Sequence, residues 1–250
     1  MKKVPEEIIL YGEGVDSQLL SSIAFYLRDR LKIKVKIEEL HYRENSPYLL
    51  ASFRIRNPQG LRFEPHPLEV ELERKGIIGN SPPKGVIYDG WAFMRFLRSI
   101  LPSCSLSKLQ ILISSRLLST PEEGIHHIRT ILLGYPSIIS VSGLVEGPAK
   151  AKEFYLSRRL FGDELIGYQL LSENSYLKYN DPRLPLVLRG YVLQAFFYQA
   201  FGEPFCFDRG CCLYNAHWQK ELIYAQLESP YELCPFHQQL LERWMISAEQ

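Results

Sequence analysis

The first half of the chain alternates between the hydrophobic periods of strands and helices. Apolar runs at residues 8–11 and 109–114 predict buried strands, and Ile33, Val35 and Ile37 alternate with charged residues as in a strand with one wet face. Similar patterns predict strands at residues 50–55, 68–73 and 137–145. Apolar residues at helical spacing predict a helix at 19–31, capped by Asp16 or Ser17, and Asp89 can cap a helix at 91–101.

The second half is more helical. Helices are predicted at residues 148–160, 186–201 and 231–245, with Gly202 as the C-terminal cap of the second. Loops are predicted at residues 76–84 and 180–185, which are rich in Gly, Pro and Asn. We therefore expect an α/β (α+β) fold in one compact domain over residues 1–250. Its sheet-rich part would cover residues 1–180 and its helical part residues 181–250.

Composition narrows the classes of partner. The formal net charge is +1, from 29 basic and 28 acidic residues, which gives no electrostatic reason to expect nucleic acid as a partner. No window approaches the length of apolar chain that spans a membrane, and the N-terminus does not resemble a signal peptide. We expect a cytoplasmic protein, whose five cysteines are reduced thiols or metal ligands.

Four of those cysteines fall in the last fifth of the chain, near two histidines. Cys206 and Cys211 form a C-x4-C pair, and Cys234 and His237 form a C-x2-H pair at the start of a predicted helix. Zinc prefers four nitrogen or sulfur ligands in a tetrahedron, and two short-spaced pairs from separate turns supply them. The pattern predicts one structural zinc ion bound by these four residues.

Two residues compete as ligands, and clustered cysteines can also simply pack in a core. Cys212 adjoins Cys211, and neighbouring residues seldom face one ion, whereas His217 lies in a polar stretch. The remaining histidines show no H-x3-H or H-x-H spacing: they are His41, His66, His126 and His127.

The C-terminal pattern resembles the archaemetzincin family of zinc metallopeptidases. That family carries H-E-x-x-H-x-x-G-x-x-H-C-x4-C-x-M and, after a spacer, C-x-x-C. In this register Cys206 and Cys211 take the C-x4-C positions, and Cys234 and His237 take the final pair. Gly202 takes the glycine, and the methionine position holds Leu213. The match is specific over residues 186–241 and weaker over residues 109–146.

The catalytic positions of the family are not kept. The three positions of the catalytic histidines hold Ala195, Gln199 and Phe205, and the position of the glutamate general base holds Phe196. The resemblance implies a metzincin-like fold with a mixed twisted sheet that keeps its structural zinc and has lost its catalytic one. Phe196 and Phe205 suggest that the ancestral cleft is filled.

The resemblance leaves several functions open. The first is a pseudo-peptidase that binds a peptide or protein, through strand addition at an edge segment placed by resemblance at residues 137–144. The second is a hydrolase with a relocated metal site, built from the unassigned histidines and from Glu122, Glu123 and Glu146. Redox chemistry at Cys211 and Cys212 and a nucleic-acid-binding knuckle are weaker alternatives. The sequence names no partner and no oligomeric state.

Overall fold

The computed structural model describes residues 4–56, 64–76, 86–102, 105–161 and 175–246. The strands are β1 (Glu7–Glu13), β2 (Lys34–Glu38), β3 (Arg54–Ile55), β4 (Ile87–Asp89), β5 (Lys108–Ser114), β6 (Leu117–Glu122), β7 (Ile125–Arg129), β8 (Ile131–Leu132) and β9 (Ser137–Ser140). The helices are α1 (Ser17–Leu31), α2 (Ser46–Ser52), α3 (Pro67–Arg74), α4 (Gly90–Ile100), α5 (Val141–Glu146), α6 (Lys152–Phe161), α7 (Leu184–Phe201), α8 (Gln219–Ile223) and α9 (Pro235–Ile246). A π-helical turn, Tyr224–Glu228, continues α8. Most of the predicted loop at 76–84 and Cys104 lie outside the described residues.

The larger sheet has the strand order β2-β1-β5-β9-β8 and is parallel except for β8. Its two faces bury different cores, because alternate residues of a strand point in opposite directions. Ile8 and Leu10 pack with α1 and α7, whereas Ile9 and Tyr11 pack with α4 on the other face. The predicted mixed α/β class is confirmed.

Helix α7 is buried around most of its circumference. Eleven of its 18 residues are buried, including Val187, Leu188, Tyr191 and Phe197. Gly202 ends it in the left-handed conformation at φ 79°, as predicted, and its N–H donates to the Tyr198 carbonyl. None of the described helices is long and apolar enough to cross a membrane.

Two predicted strands are helices instead. Residues 68–73 lie in α3, where His66 and Glu69 form a capping box and Pro67 occupies the first turn. The alternating pattern misled the prediction, since Leu68 is 69% exposed while Glu73 is buried. Residues 50–52 likewise end α2, and only Arg54–Ile55 forms a strand.

The predicted strand at 137–145 is divided. Its first four residues form β9, and the rest form α5, because the Ser140 hydroxyl accepts from the Gly143 N–H and caps the helix. Strand β9 is hydrogen-bonded to β5 on one side and to β8 on the other. The prediction that residues 137–144 form a sheet edge is therefore wrong.

A second sheet, of order β3-β4-β6-β7, was not predicted. Its β6–β7 hairpin turns through Glu123 and Gly124, both with positive φ.

Buried ion pairs join this second sheet to the first. The Glu73 carboxylate accepts from Arg54 Nη2, Arg116 Nη1 and the Tyr88 hydroxyl, each at 2.8 Å. Arg116 Nε also donates to Glu13 at the end of β1, at 2.8 Å. The Glu73 side chain is 0% exposed, so the network is stable only while every charge keeps its partners.

We expect Glu73→Gln to lower the free energy of unfolding by about 3–5 kcal/mol, because it leaves two buried guanidinium groups short of a carboxylate. Urea denaturation measures the change. Glu71→Gln on the exposed face of α3 is the matched control and should have little effect, since its ion pair with Arg74 lies in water. Equal midpoints for the two variants would contradict the role given to Glu73.

Candidate metal centre

Each side chain of the predicted zinc site is set by a short local structure. Cys206 follows the cap of α7, and its N–H donates to the Leu213 carbonyl at 3.0 Å. Cys211 follows a turn in which its N–H donates to the Asp208 carbonyl at 3.1 Å. Cys234 immediately precedes α9, and His237 lies in the first turn of that helix. The loop after α7 and the start of α9 therefore meet at this site.

The structure brings these four side chains together. Their ligand atoms all lie within 4.8 Å of one another. Cys206 Sγ and Cys234 Sγ are 3.8 Å apart, and His237 Nδ1 lies 3.1 Å from Cys234 Sγ and 3.9 Å from Cys211 Sγ. Two sulfurs bound to one tetrahedral zinc at about 2.3 Å are separated by about 3.8 Å, so the donor set and its spacing suit a zinc ion.

The surroundings of the cluster favour the thiolate form of Cys211. A hydrogen bond with Cys212, together with the backbone N–H of Cys234, lowers the pKa of the Cys211 thiol to about 5. Burial raises the pKa of the Cys206 thiol to about 12. Its sulfur still accepts the Asp208 N–H at 3.3 Å. A cation displaces such protons when it binds, which couples its affinity to pH.

The rival ligands lie outside the cluster. Cys212 is buried and hydrogen-bonded to Cys211, but it does not belong to the group of ligand atoms that could hold one ion. His217 is exposed, and its backbone N–H donates to Glu221 Oε2 at 3.1 Å. Of the six residues considered from the sequence, the structure joins the four that were chosen. That they bind zinc stays a prediction.

The other histidines are separated. His66 caps α3, His126 Nδ1 lies 3.0 Å from Ser119 Oγ, and His41 is exposed. His127 follows His126 on β7 and points to the opposite face of the strand. Within the described ranges, the three-cysteine, one-histidine cluster is the one group of three or more potential ligands that could hold a metal.

Two of the four catalytic positions given by the resemblance fall in the core of the protein, and the other two lie nearer the surface. Ala195 and Phe196 are both 0% exposed, and the Phe196 ring contacts Trp244 at a centroid distance of 4.8 Å. Gln199 Nε2 donates to the Leu106 carbonyl at 2.7 Å. Phe205 is 39% exposed.

Sequence analysis missed the buried network of Glu13, Glu73 and Arg116 and a cavity beside the cluster that contains Arg189. Buried carboxylates give no periodic signal of their own. The one charged residue of α7 is Arg189, and this was the signal in the sequence that could have indicated the cavity.

We expect Cys234→Ser to abolish metal retention and to lower the melting temperature strongly, because metal-binding energy at such a site is folding energy. Elemental analysis of protein purified without added metal and a thermal melt check both effects. Cys212→Ser is the matched control, a buried cysteine next to the cluster, and should keep the metal. Metal loss in both variants, or in neither, would contradict the ligand assignment.

One comparison with known proteins identifies a family. No curated protein matches the chain. Among solved structures, the crystal structure of a zinc-dependent peptidase from Methanocorpusculum labreanum (strain Z) is 16% identical. The similarity covers 94% of this chain and 99% of that chain, with a TM-score of 0.47. The model of a family described as "Probable metallopeptidase family (DUF6775)" matches residues 4–244. Because this match spans nearly the whole sequence, the chain belongs to that metallopeptidase family.

Proposed function

We propose that the protein is an archaemetzincin-like pseudo-peptidase, which keeps one structural zinc and acts by binding a peptide or protein rather than by hydrolysis. One observation carries the proposal: the helix that resembles the family's active-site helix buries apolar side chains at residues 195 and 196, the positions of the first histidine and of the general base. A hydrolytic zinc needs three protein ligands, an open position for water and a general base.

Nothing on α7 supplies those groups. Ala195 and Phe196 have no donor atoms in their side chains, and both are fully buried. The amide of Gln199 is held by the Leu106 carbonyl. No carboxylate takes the place of the missing general base, so these positions can neither hold a zinc ion nor take a proton from water.

The cluster at the end of the chain supports a structural role. Three thiolates and one imidazole fill all four positions of a tetrahedral ion, which leaves none for substrate. Bound there, zinc supplies a crosslink between the loop after α7 and the start of α9. Cys211, Cys234 and His237 are buried, so substrate would not reach the site. Reduced thiols also suit the cytoplasm, where we place the protein.

The alternative of a relocated catalytic metal has no supporting observation. His126 is engaged by Ser119, and His127 points away from it on the same strand. Glu122 pairs with Arg129 at 2.6 Å, and Glu146 lies 3.6 Å from Lys150. The described ranges contain no second group of ligands for such an ion.

Binding of a partner is supported by exposed aromatic side chains at the cluster rather than by a sheet edge. Phe205 and Phe207 flank Cys206 and are 39% and 102% exposed, and Phe236, beside His237, is 63% exposed. Exposed apolar patches mark interaction sites, and aromatic residues are enriched in interfaces. The interior position of β9 removes the support for strand addition at residues 137–144.

We expect one zinc per chain and no cleavage when the purified, zinc-loaded protein is incubated with a peptide library. Elemental analysis gives the stoichiometry, and mass spectrometry detects cleavage. The variant with Ala195→His, Phe196→Glu, Gln199→His and Phe205→His should also be inactive, because the groups that would orient new ligands are missing. A second zinc, or cleavage that a chelator abolishes, would overturn the proposal.

A single substitution tests whether the catalytic position is core. Phe196→Glu should cost about 3 kcal/mol or more of unfolding free energy, because it removes a buried ring and buries a carboxyl group beside Trp244. Phe205→Glu is the matched control and should cost much less, since that side chain already meets water. Chemical denaturation compares the two, and equal losses would show that position 196 is not the packed site described.

A further inference from the structure

A cavity of about 260 Å³ lies beside the three-cysteine, one-histidine cluster, between α7, the π-helical turn and the loop before α9. Arg189 and Gly190 form its wall on α7, Cys212 separates it from the cluster, and Gln226, Ser229 and Glu232 line the opposite side. π-Helical turns often occur at functional sites, where they displace side chains from regular helical positions. The cavity is separate from the catalytic positions discussed above.

Arg189 is the unusual group in this cavity. Its Nε is buried without a hydrogen-bond partner, and across the described residues its guanidinium has no hydrogen bond or ion pair. The guanidinium instead makes a cation–π contact with the ring of Tyr26, whose centroid lies 5.0 Å from Cζ. Leaving this buried donor unpaired is costly, and the guanidinium presents its donors in a planar fork that suits a carboxylate.

The carboxylate in the cavity makes no ion pair with Arg189 and is engaged by other groups. Glu232 Oε1 accepts from the Tyr26 hydroxyl at 2.6 Å, and Glu232 Oε2 pairs with Arg30 Nε at 2.7 Å. The ring of Tyr26 therefore lies against Arg189 while its hydroxyl orients Glu232. The amide of Gln226 is fixed as well, since its Nε2 donates to the Cys212 carbonyl at 2.8 Å.

We propose that this cavity binds a small organic carboxylate, held by Arg189. A carboxylate matches the guanidinium fork with two parallel hydrogen bonds. The carboxylate of Glu232 in the same cavity disfavours a dianion such as phosphate. Leu186, Ala225 and Leu227 in the cavity wall provide apolar contact for a short hydrocarbon group. An acylated amino acid or the C-terminal residue of a peptide has this chemistry.

The test is an NMR titration of the full, metal-loaded chain with N-acetyl-leucine, its neutral amide and inorganic phosphate. We expect the acid to shift the backbone amide signals of Ala225, Leu227 and Ser229. The neutral amide and phosphate should bind at least about tenfold more weakly, because a hydrogen-bonded ion pair with Arg189 is lost or opposed.

Variants locate the effect. Arg189→Met keeps the apolar stem and removes the unpaired donors, so the protein should fold and bind the acid about tenfold to a hundredfold more weakly. Arg189→Lys keeps the charge without the fork and should fall between the two. Arg74→Met, at an exposed position on α3, is the control and should bind as the unchanged protein does.

Several results would overturn the proposal. They are no shift at the cavity with the acid, equal affinity for the acid and its amide, tighter binding of phosphate, and unchanged affinity in Arg189→Met. The comparison of acid and amide uses the unchanged protein, so the test stands even if a variant does not fold. Peptidase activity is not a readout, so the outcome is separable from that of the function proposed above.

Discussion

The burial of α7 is the constraint on which the rest of the structure depends. A helix that is apolar around most of its circumference must be enclosed, and here α1, the large sheet and α9 enclose it. Its left-handed end at Gly202 turns the chain directly into the loop that carries Cys206. The position of the metal cluster therefore follows from the packing of this helix. The same packing leaves no polar side chain at residues 195 and 196, where the Phe196 ring lies against Trp244.

The second constraint is electrostatic and acts on the other side of the sheet. Glu73 receives Arg54 and Arg116 where no water reaches it. Apolar groups of similar volume can be as stabilising as buried ion pairs, so stability alone does not explain this arrangement. The network does link the end of β1, through Glu13 and Arg116, to Glu73 and thereby to β3 and β4. The two sheets also share an apolar core, since Tyr11 of β1 and Leu112 of β5 belong to the same buried cluster as Tyr88 of β4.

The sequence was most informative where the signal is local. The spacing of Cys206, Cys211, Cys234 and His237 predicted the cluster, because ligand pairs and caps involve only a few neighbouring residues. Helix α7 was predicted from its apolar length and Gly202. The prediction failed where tertiary contacts bury a charged residue and leave an apolar one exposed, as in α3, where Glu73 is buried and Leu68 is exposed. It also could not show that β8 covers β9, since a strand of two residues has no periodicity. The isolation of Arg189 is likewise invisible without knowing that Glu232 is engaged by Arg30.

Helix α7 also connects the two proposals. Arg189 lies six residues before Ala195, which places it about 9 Å earlier along the helix axis. The later part of the helix buries Ala195 and Phe196, while the earlier part presents a cation without an acceptor among the described residues. Packing of the later part fixes the helix backbone, and the ring of Tyr26 lies against the guanidinium of Arg189, which together lower the entropic cost of binding a ligand there. The proposed absence of catalysis and the proposed recognition of a carboxylate are thus compatible on one helix, because the packed core that leaves no room for a metal ion at residues 195 and 196 also holds the backbone of Arg189 in place.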